Sequence, residues 1–510
     1  MINILEMLEN TAEVYPDRTA FADPVKDIDF ATLRDRAKKC ATVLMRDKGV
    51  KSHTAVVFYM EKSVDAMTAL LGGVYCNAFY CFIDIRQTAE RAASILSVLE
   101  PSVIITDESN VANISSIVEG AGLEYPVLMI DELIKQASGI IADDELILER
   151  RLEFYDRQPL YVNFTSGSTG VPKGVVVGHH SVIDFITEFD RVFDITADDI
   201  IANQAPFDFD VSVKDIYSGL YTGAKVLLIP REYFSNPSVL MDYLCDGQVT
   251  TLIWAVSAMC FVSIMNGLEY KTPDKINKVM FSGELMPVKQ LNKWKKYLPD
   301  ATYVNLYGPT EITCNCTYHI LDREYDKGEI IPIGIPFRNE KVFLLDDNDV
   351  LITDKDVEGE ICVSGSCLAL GYYKDPDKTA AVFVQNPVNT SYTELIYRTG
   401  DLGKYNDEGL LVYTSRKDFQ IKHMGQRIEL MDIEVSAMSI EGVSRACCLY
   451  DDKHKKIILF YVGELDKDRL SEELRKKLPV FMLPSKAVRL DEFPLNKNGK
   501  IDRHALNELV

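Results

Sequence analysis

The sequence lacks the features expected of a nucleic-acid-binding or secreted protein. Its 510 residues contain 55 Lys and Arg against 77 Asp and Glu, a formal charge of −22, whereas binding nucleic acid needs a basic surface. No basic residue precedes Arg18, and residues 1–10 look like the start of an amphipathic helix and not like a secretory signal. We therefore expect a cytoplasmic protein with no nucleic-acid partner.

Long apolar runs and metal-type cysteine spacings are also missing. Residues 66–83 and 247–268 are uncharged, but both contain Gly, Asn, Thr or Ser and neither has a flanking cluster of Lys or Arg. We expect a buried helix and strand in each, and no membrane insertion. The 11 cysteines show no zinc-type spacing, and their odd number suits reduced thiols in the cytosol.

Length and patterning predict a multi-domain α/β protein. A chain of 510 residues exceeds a single hydrophobic core. Short β-branched runs, each followed by a segment of helical periodicity, indicate parallel α/β layers. These runs begin at residues 54, 103, 225 and 250.

The last third of the chain follows a different pattern. Short strands separated by glycine turns, at 341–345, 359–363 and 410–413, predict a small β-rich subdomain that closes the large domain. From residue 418 on, short strands and one charged helix predict a small α+β domain. We place residues 1–415 in an N-terminal domain and 416–510 in a C-terminal domain.

The most informative segment is residues 163–175, which read NFTSGSTGVPKGV. Its glycines let successive backbone N–H groups point at one anion, its hydroxyls add donors, and Lys173 adds a positive charge. The P-loop of NTPases has glycine before the lysine and Ser or Thr after it, where this chain has Pro172 and Gly174. The segment therefore predicts a different kind of polyphosphate loop, although such composition alone is also typical of plain surface loops.

Four further motifs follow this loop. They read YGPTE at 307–311, YRTGDLG at 397–403, RKDFQIKHMGQRIE at 416–429 and NKNGKID at 496–502. In this order, the five motifs resemble those of the adenylate-forming superfamily, which includes acyl-CoA synthetases, luciferases and the adenylation domains of peptide synthetases. Weaker matches at 17–44 and 69–90 extend the resemblance over essentially the whole chain.

The resemblance implies a ligase that uses ATP and Mg²⁺ to form an acyl-adenylate. Attack of a carboxylate on the α-phosphorus brings two anions together, so the site must neutralise charge and align the reactants. Tyr307 would line the adenine pocket, and Asp401 would accept both ribose hydroxyls. The implied nucleotide-binding residues are Thr165, Ser166, Gly167, Ser168, Thr169, Gly170, Lys173, Gly283, Glu284, Asn305, Tyr307, Gly308, Asp401 and Arg416. Ser415 departs from the family pattern, which has glycine before that arginine.

The same resemblance implies the catalytic and mobile groups. Glu311, with Thr310 beside it, would be the magnesium-associated carboxylate, and Lys500 would bridge the substrate carboxylate and the α-phosphate. Asp418 occupies the hinge about which the C-terminal domain rotates between two poses. Lys422 and Gly425 would face the pantetheine tunnel, where a glycine leaves room for the thiol arm.

Asp210 distinguishes the branches of the superfamily. It lies in FDFDVSVKDIYSGL, residues 207–220, which resembles the motif where amino-acid-activating members place an aspartate against the substrate's α-ammonium. A buried carboxylate pairs well with a cation and would be left unpaired by an uncharged acyl group. A helix N-cap is the structural alternative for Asp210.

The motif details resemble D-alanine:carrier-protein ligases most, with an amino acid as substrate and a phosphopantetheine-bearing carrier protein as partner. A stand-alone peptide-synthetase-type adenylation enzyme for another small or polar amino acid is the alternative, and an acyl- or aryl-CoA synthetase is the second alternative. Ser282 stands where the D-alanine ligases have a cysteine on the pocket wall.

The family's pocket positions can be transferred onto this chain one by one. They are Asp210, Val211, Lys214, Ser257, Met280, Ser282, Leu306, Cys314 and Asn315. A buried lysine without a partner costs several kcal/mol or loses its proton, so Lys214 either points to solvent or meets something acidic. The first case predicts alanine or serine as substrate and the second predicts aspartate or glutamate; large aromatic substrates are excluded in both.

Overall fold

The computed structural model describes residues 1–165, 172–326, 329–417, 420–451, 453–494, 501, 503–507 and 509. Its helices are α1 (Leu5–Val14), α2 (Phe30–Arg46), α3 (Val64–Tyr75), α4 (Ala89–Leu99), α5 (Val111–Gly120), α6 (Ile130–Ser138), α7 (Asp144–Leu152), α8 (His179–Phe193), α9 (Ser212–Thr222), α10 (Pro237–Asp246), α11 (Val256–Ile264), α12 (Gly267–Tyr270), α13 (Val288–Tyr297), α14 (Pro376–Val382), α15 (Leu430–Met438), α16 (Lys467–Lys477) and α17 (Arg503–Asn507). Its strands are β1 (Thr19–Ala22), β2 (Asp27–Asp29), β3 (Ala55–Tyr59), β4 (Phe79–Phe82), β5 (Val103–Thr106), β6 (Val127–Met129), β7 (Pro159–Thr165), β8 (Lys173–Gly178), β9 (Ile200–Asn203), β10 (Lys225–Leu228), β11 (Thr251–Ala255), β12 (Lys278–Ser282), β13 (Thr302–Tyr307), β14 (Thr317–Ile320), β15 (Ile335–Pro336), β16 (Glu340–Leu345), β17 (Leu351–Ile352), β18 (Gly359–Gly365), β19 (Gly371–Tyr372), β20 (Phe383–Gln385), β21 (Leu395–Tyr405), β22 (Leu411–Arg416), β23 (Gln420–His423), β24 (Gln426–Glu429), β25 (Val443–Asp451), β26 (Lys456–Gly463) and β27 (Lys486–Leu490).

Two large sheets carry the helices of the N-terminal part. One has the order β15-β14-β13-β12-β11-β9-β10-β1-β2, and the other has the order β19-β8-β7-β4-β3-β5-β6. The pairs β9–β10, β9–β11, β11–β12 and β12–β13 are parallel, as are β3–β4, β3–β5 and β5–β6. The predicted α/β class, with parallel strands followed by helices, is confirmed.

The two uncharged stretches of the sequence form buried elements. The first contains α3 and β4, and the second contains β11 and α11. Trp254 on β11 and Leu70 on α3 are fully buried. In the described ranges, no helix is both long and apolar enough to cross a membrane. The expectation of a buried helix and strand in each stretch is confirmed.

A separate antiparallel sheet forms the β-rich subdomain. Its strands follow the order β17-β16-β18-β21-β20, with β22 pairing on β21. These strands include the three runs that predicted this subdomain from sequence. Its hydrophobic side contributes Leu344, Ile361 and Val363 to the main core.

Residue contacts divide the chain into two compact units. The first comprises residues 1–85, 99–163 and 174–417, and the second comprises 86–98, 164–173 and 418–510. Within the second unit, β25, β26 and β27 form one sheet, and α15 and α16 share a core with it through side chains such as Ile433, Leu459 and Leu470. The β23–β24 hairpin also belongs to this unit.

Candidate active site

The parallel strands of the larger sheet end at one common edge. Ala255, Ser282 and Leu306 lie side by side in register on β11, β12 and β13. Because parallel strands present their carboxyl ends on the same edge, the segments that follow these strands lie close together there. The loop after β9, which leads to Asp210, leaves from the same edge because β9 is parallel to β11. Ligands of open α/β sheets bind at such edges.

A hydrogen-bonded triad lies on the side where the nucleotide is expected. Asp401 on β21 and Arg416 on β22 are register partners, and the arginine Nη1 donates to Asp401 Oδ1 at 2.5 Å. The Tyr307 hydroxyl donates to the other carboxylate oxygen, also at 2.5 Å. Asp401 is buried, and each of its oxygens still has lone-pair capacity for a further hydroxyl donor.

The triad keeps Tyr307 protonated. Burial, and then the charge of Asp401, raise the pKa of Tyr307 well above its ordinary value. The phenol therefore remains a hydrogen-bond donor to Asp401 throughout the neutral range. This fixes the orientation of the Asp401 carboxylate before any ligand arrives. The departure at Ser415 leaves Arg416 in place, since β22 continues through both residues.

Glu311 is a buried carboxylate at the same edge. It lies in a 3₁₀ turn (Thr310–Ile312), has no exposed surface and accepts a hydrogen bond from the Tyr372 hydroxyl at 2.8 Å. No cluster of three or more His, Cys, Asp or Glu able to hold a metal ion occurs in the part of the chain that the structure describes. One carboxylate fits a magnesium ion that arrives with substrate phosphates, because Mg²⁺ takes only one or two carboxylates in such sites.

Lys214 lies on α9 with no exposed surface. Its Nζ donates to Asn315 Oδ1 at 2.6 Å, and the Cys314 thiol donates to the same oxygen at 3.6 Å. Of the two orientations that the sequence allowed, the solvent-facing one is wrong. No salt bridge to Lys214 occurs among the described residues, so the buried ammonium is held by an amide oxygen without a carboxylate in ion-pair contact.

Asp210 comes two residues before α9 and is 8% exposed. The N-cap residue of α9 is Val211, and among the described side chains none caps this helix with a hydrogen bond. Burial raises the pKa of the nearby Cys314 thiol to about 12, and the charge of Asp210 adds to this while Lys214 opposes it. Asp210, Lys214 and Cys314 therefore share one electrostatic environment.

The remaining predicted pocket positions make up the predicted pocket wall. Val211, Met280 and Leu306 are buried apolar residues, and Ser282 is the register neighbour of Leu306. Ser257 is partly buried at the start of α11. Bulky apolar side chains around buried polar groups predict a small space with a polar end.

Gly308 permits the close approach of two chain segments in this wall. A Cβ at Gly308 would lie 2.6 Å from the Cα of Asn315 and 2.7 Å from the carbonyl oxygen of Cys314. Thr313 and Cys314 themselves have positive φ values of 54° and 84°, which non-glycine residues adopt at a cost. The backbone that carries the partner of Lys214 is thus tightly constrained.

Replacing Gly308 with alanine is expected to displace this wall. The overpacking should lower the free energy of unfolding by about 1–3 kcal/mol and raise KM for the carboxylate substrate. Gly120→Ala is the control, because no described heavy atom lies within 4 Å of a Cβ at Gly120 in α5; it should be neutral or stabilising by up to about 1 kcal/mol. Denaturant unfolding of both variants checks this, and equal stabilities would contradict it.

Of the remaining predicted site residues, several lie outside the part of the chain that the structure describes. Ser166, Gly167, Ser168, Thr169, Gly170, Asp418 and Lys500 lie outside the described residues. Thr165 ends β7 and Lys173 begins β8, at the two limits of the predicted phosphate loop. Asn305 lies on β13, where its Nδ2 donates to the carbonyl of Pro332 at 2.9 Å. Gly283 follows β12 with a φ of 98°, and a Cβ there would meet no described heavy atom within 4 Å, while Glu284 is partly buried beside it.

The two tunnel residues belong to the second unit. Lys422 lies on β23, and Gly425 lies in the two-residue turn between β23 and β24. Met424 and Gly425 have φ values of 53° and 77°, as the type I′ hairpin turn requires at both central positions. The glycine therefore has a conformational role in the hairpin.

One partly buried residue near the site was missed by sequence reasoning. Lys62 Nζ donates to the carbonyls of Asn203, Gln204 and Ala205 at 2.8, 2.9 and 3.1 Å, and so anchors the segment that leads to Asp210. Burial lowers the pKa of Lys62 to about 7. No local pattern marks this lysine, because its acceptors lie more than 140 residues away.

Comparison with known proteins gives consistent matches. The family described as "AMP-binding enzyme" matches residues 8–373. Tyrocidine synthase 1 of Brevibacillus parabrevis is 30% identical over 99% of this chain, which spans 45% of that protein. The chain thus spans less than half the length of this curated relative.

Two further matches cover nearly the whole of both chains. An L-proline–[L-prolyl-carrier protein] ligase of Streptomyces coelicolor is 29% identical over 99% of this chain and 96% of its own length. The adenylation domain AlmE of Vibrio cholerae, solved with glycyl-adenosine-5′-phosphate, superimposes with a TM-score of 0.85 over 100% of this chain and 98% of its own at 21% identity. At that identity, the structural match shows the fold alone.

Proposed function

The chain belongs to the AMP-binding enzyme family, and we propose that it activates an amino acid as an aminoacyl-adenylate and transfers it to a carrier protein. In the first step, the amino acid carboxylate attacks the α-phosphorus of ATP and pyrophosphate leaves. In the second step, the phosphopantetheine thiol of the carrier attacks the acyl carbon and AMP leaves. The thiol gives up its proton as the thioester forms.

The observation that carries the proposal is the buried carboxylate of Asp210, which shares one electrostatic environment with Lys214 and Cys314. Asp210 is 8% exposed, and in such a poorly solvated setting a carboxylate attracts a nearby cation far more strongly than it would in water. The α-ammonium of an amino acid would supply that cation, whereas the uncharged chain of a fatty or aryl acid would not. This favours amino-acid activation over acyl- or aryl-CoA synthesis.

The proposed nucleotide-binding residues are supported by the hydrogen-bonded triad of Asp401, Arg416 and Tyr307 and by the order of the sequence motifs. Asp401 is held by Arg416 and Tyr307, and we assign the ribose hydroxyls to its two oxygens. Glu311 would hold the magnesium ion, which neutralises phosphate charge during the displacement. We assign the β,γ-phosphates to the loop that Thr165 and Lys173 delimit, and the reacting carboxylate and α-phosphate to Lys500.

Transfer to a carrier protein is supported by the relatives. One is a ligase whose name specifies a carrier protein, and this chain covers 96% of its length. We propose that the second unit, with its hinge at Asp418, presents Lys422 and Gly425 to the pantetheine arm in the transfer step. The resemblance to D-alanine ligases supports the proposed reaction, but we do not infer D-alanine as the substrate from it.

The side-chain pocket favours an acidic amino acid over alanine. Lys214 is buried, and its hydrogen-bond partner among the described residues is the amide oxygen of Asn315. A side-chain carboxylate of aspartate or glutamate would supply a counter-charge in direct contact, whereas alanine would leave the buried ammonium without one. The short wall of Val211, Met280 and Leu306 favours a small side chain over an aromatic ring.

Lys214→Met is expected to change the substrate profile in ATP–pyrophosphate exchange. Parent enzyme should prefer aspartate or glutamate, and the variant should lose about 100-fold or more in kcat/KM for them, because a buried charge pair is worth about 3–5 kcal/mol when broken. Activity with neutral amino acids should rise relative to the acidic ones. Lys289→Met, an exposed residue on α13, is the control and should leave the profile unchanged.

Two results would contradict this assignment. A parent preference for phenylalanine or tryptophan would refute the pocket. An unchanged profile in Lys214→Met, with the control also unchanged, would remove Lys214 from substrate recognition.

A further inference from the structure

One face of β7 carries buried polar atoms that lack hydrogen-bond partners among the described residues. Tyr161 and Asn163 alternate along the strand and therefore share a face. The Tyr161 hydroxyl and Asn163 Oδ1 are both buried, and neither has a hydrogen-bond partner within the described ranges of the chain. Buried polar atoms are nearly always paired, so two on one strand face indicate a surface suited to a polar ligand.

Tyr161 is the more deeply buried of the two. It has no exposed surface, and its ring packs on that of Tyr80 with centroids 5.6 Å apart. The Tyr80 hydroxyl is itself paired with the Tyr217 hydroxyl at 2.9 Å. The aromatic cluster therefore satisfies two of its three hydroxyls and leaves the third, on Tyr161, for a partner outside the cluster.

The ring cluster that contains Tyr161 also includes a tyrosine of α9, the helix that carries Lys214. Burial and then Tyr80 raise the pKa of the Tyr161 phenol, and Asp210 and Cys314 add to the effect. Cys314 also neighbours Lys214. The phenol is therefore neutral, can donate one hydrogen bond, and lies in the electrostatic environment of the two groups that flank the pocket.

We propose that the Tyr161 hydroxyl determines side-chain specificity by donating a hydrogen bond to the same side-chain carboxylate that Lys214 binds. The inference rests on the proposed function, since it names a second contact for the acidic substrate. A hydroxyl and an ammonium together give one carboxylate two donors, and charge-assisted hydrogen bonds of this kind are the strong ones.

This arrangement rejects two classes of competitor for different reasons. Alanine offers no acceptor to the hydroxyl or to the ammonium, and both are buried. Leaving buried donors unpaired costs binding free energy, so a site built to hydrogen-bond its substrate rejects an analogue that lacks the acceptor. Asparagine and glutamine fill the space, but their neutral amide lacks the negative charge that makes hydrogen bonds from the hydroxyl and the ammonium to a carboxylate strong. The pocket should therefore separate an acidic amino acid from its own amide, although the two differ little in size.

The test is Tyr161→Phe, which removes only the hydroxyl. In exchange assays, kcat/KM for the preferred acidic amino acid should fall about 10- to 100-fold, KM for ATP should not change, and discrimination against the corresponding amide should shrink. The denaturation midpoint should stay level or rise, because the variant loses a buried hydroxyl that has no partner among the described residues. Tyr217→Phe is the matched control: it breaks the pair with Tyr80, so its midpoint should fall while its specificity is kept.

These assays distinguish a failure of the proposed function from a failure of the role assigned to Tyr161. If no amino acid supports exchange in the parent enzyme, the proposed function fails and the inference fails with it. If the parent uses an amino acid but Tyr161→Phe keeps its kcat/KM and its discrimination, the proposed function stands and the role of Tyr161 is refuted. A parent enzyme that accepts the amide as well as the acid would also refute it, without any variant.

Discussion

Lys500→Ala is expected to lower amino-acid-dependent ATP–pyrophosphate exchange by about 10²–10³ or more, the usual effect of removing one transition-state charge contact. The motif assigns this lysine to the bridge between the substrate carboxylate and the α-phosphate, where negative charge accumulates. Transfer from supplied aminoacyl-adenylate to a carrier thiol should be spared, because that step takes place in the other orientation of the C-terminal domain.

Gly425→Leu is expected to have the opposite effect on the two half-reactions. The leucine side chain should block entry of the phosphopantetheine thiol and abolish thioester formation, while ATP–pyrophosphate exchange continues. Because Gly425 has a φ of 77° in the hairpin turn, leucine also strains the backbone. Gly425→Asn is the control for strain, since asparagine tolerates the left-handed conformation better than leucine and is less bulky. If Lys500→Ala and Gly425→Leu impaired the same half-reaction equally, the rotating-domain account would be wrong for this chain.

Asp210→Asn is expected to lower kcat/KM for the amino acid by about 10²–10³, because breaking one side of a buried ion pair costs about 3–5 kcal/mol. The amide keeps the size of the side chain and removes its charge, so the α-ammonium loses its counter-ion. KM for ATP should remain close to that of the parent, since Asp401 and Glu311 are untouched.

The control for Asp210 is a surface aspartate. Asp198 is 92% exposed and pairs with Arg18 at 3.1 Å. Asp198→Asn should leave kcat/KM for the amino acid unchanged. It should change the free energy of unfolding by less than about 1 kcal/mol, because exposed ion pairs usually contribute no more than that. Full amino-acid-dependent exchange in Asp210→Asn would remove Asp210 from substrate binding and reopen the helix-terminus alternative.

Much of the fold could be predicted because its signals are local. The β-branched runs at 103–106 and 225–229 match β5 and β10 to within a residue, since buried parallel strands need continuous apolar sequence. The five motifs indicated the family for a similar reason, because each is a short segment whose characteristic residues are consecutive in the sequence.

The pocket could be predicted only in part, because its contacts join distant parts of the chain. The direction of Lys214 is set by Asn315, 101 residues later, so the sequence left two orientations open. Tyr161 and Lys62 follow no periodic pattern that marks them as polar groups at a site. Their roles emerge only when β7 and the segment after β9 are placed in three dimensions.

We propose that Asp210 makes this enzyme require an α-amino group on its substrate. The most direct test is ATP–pyrophosphate exchange with matched pairs of acids that differ only in that group: aspartate against succinate, glutamate against glutarate, and alanine against propionate. We predict exchange with aspartate or glutamate and none above background with the deaminated partner of either. Exchange driven by a deaminated acid as well as by its amino acid, or by an aliphatic acid and by no amino acid, would contradict the account.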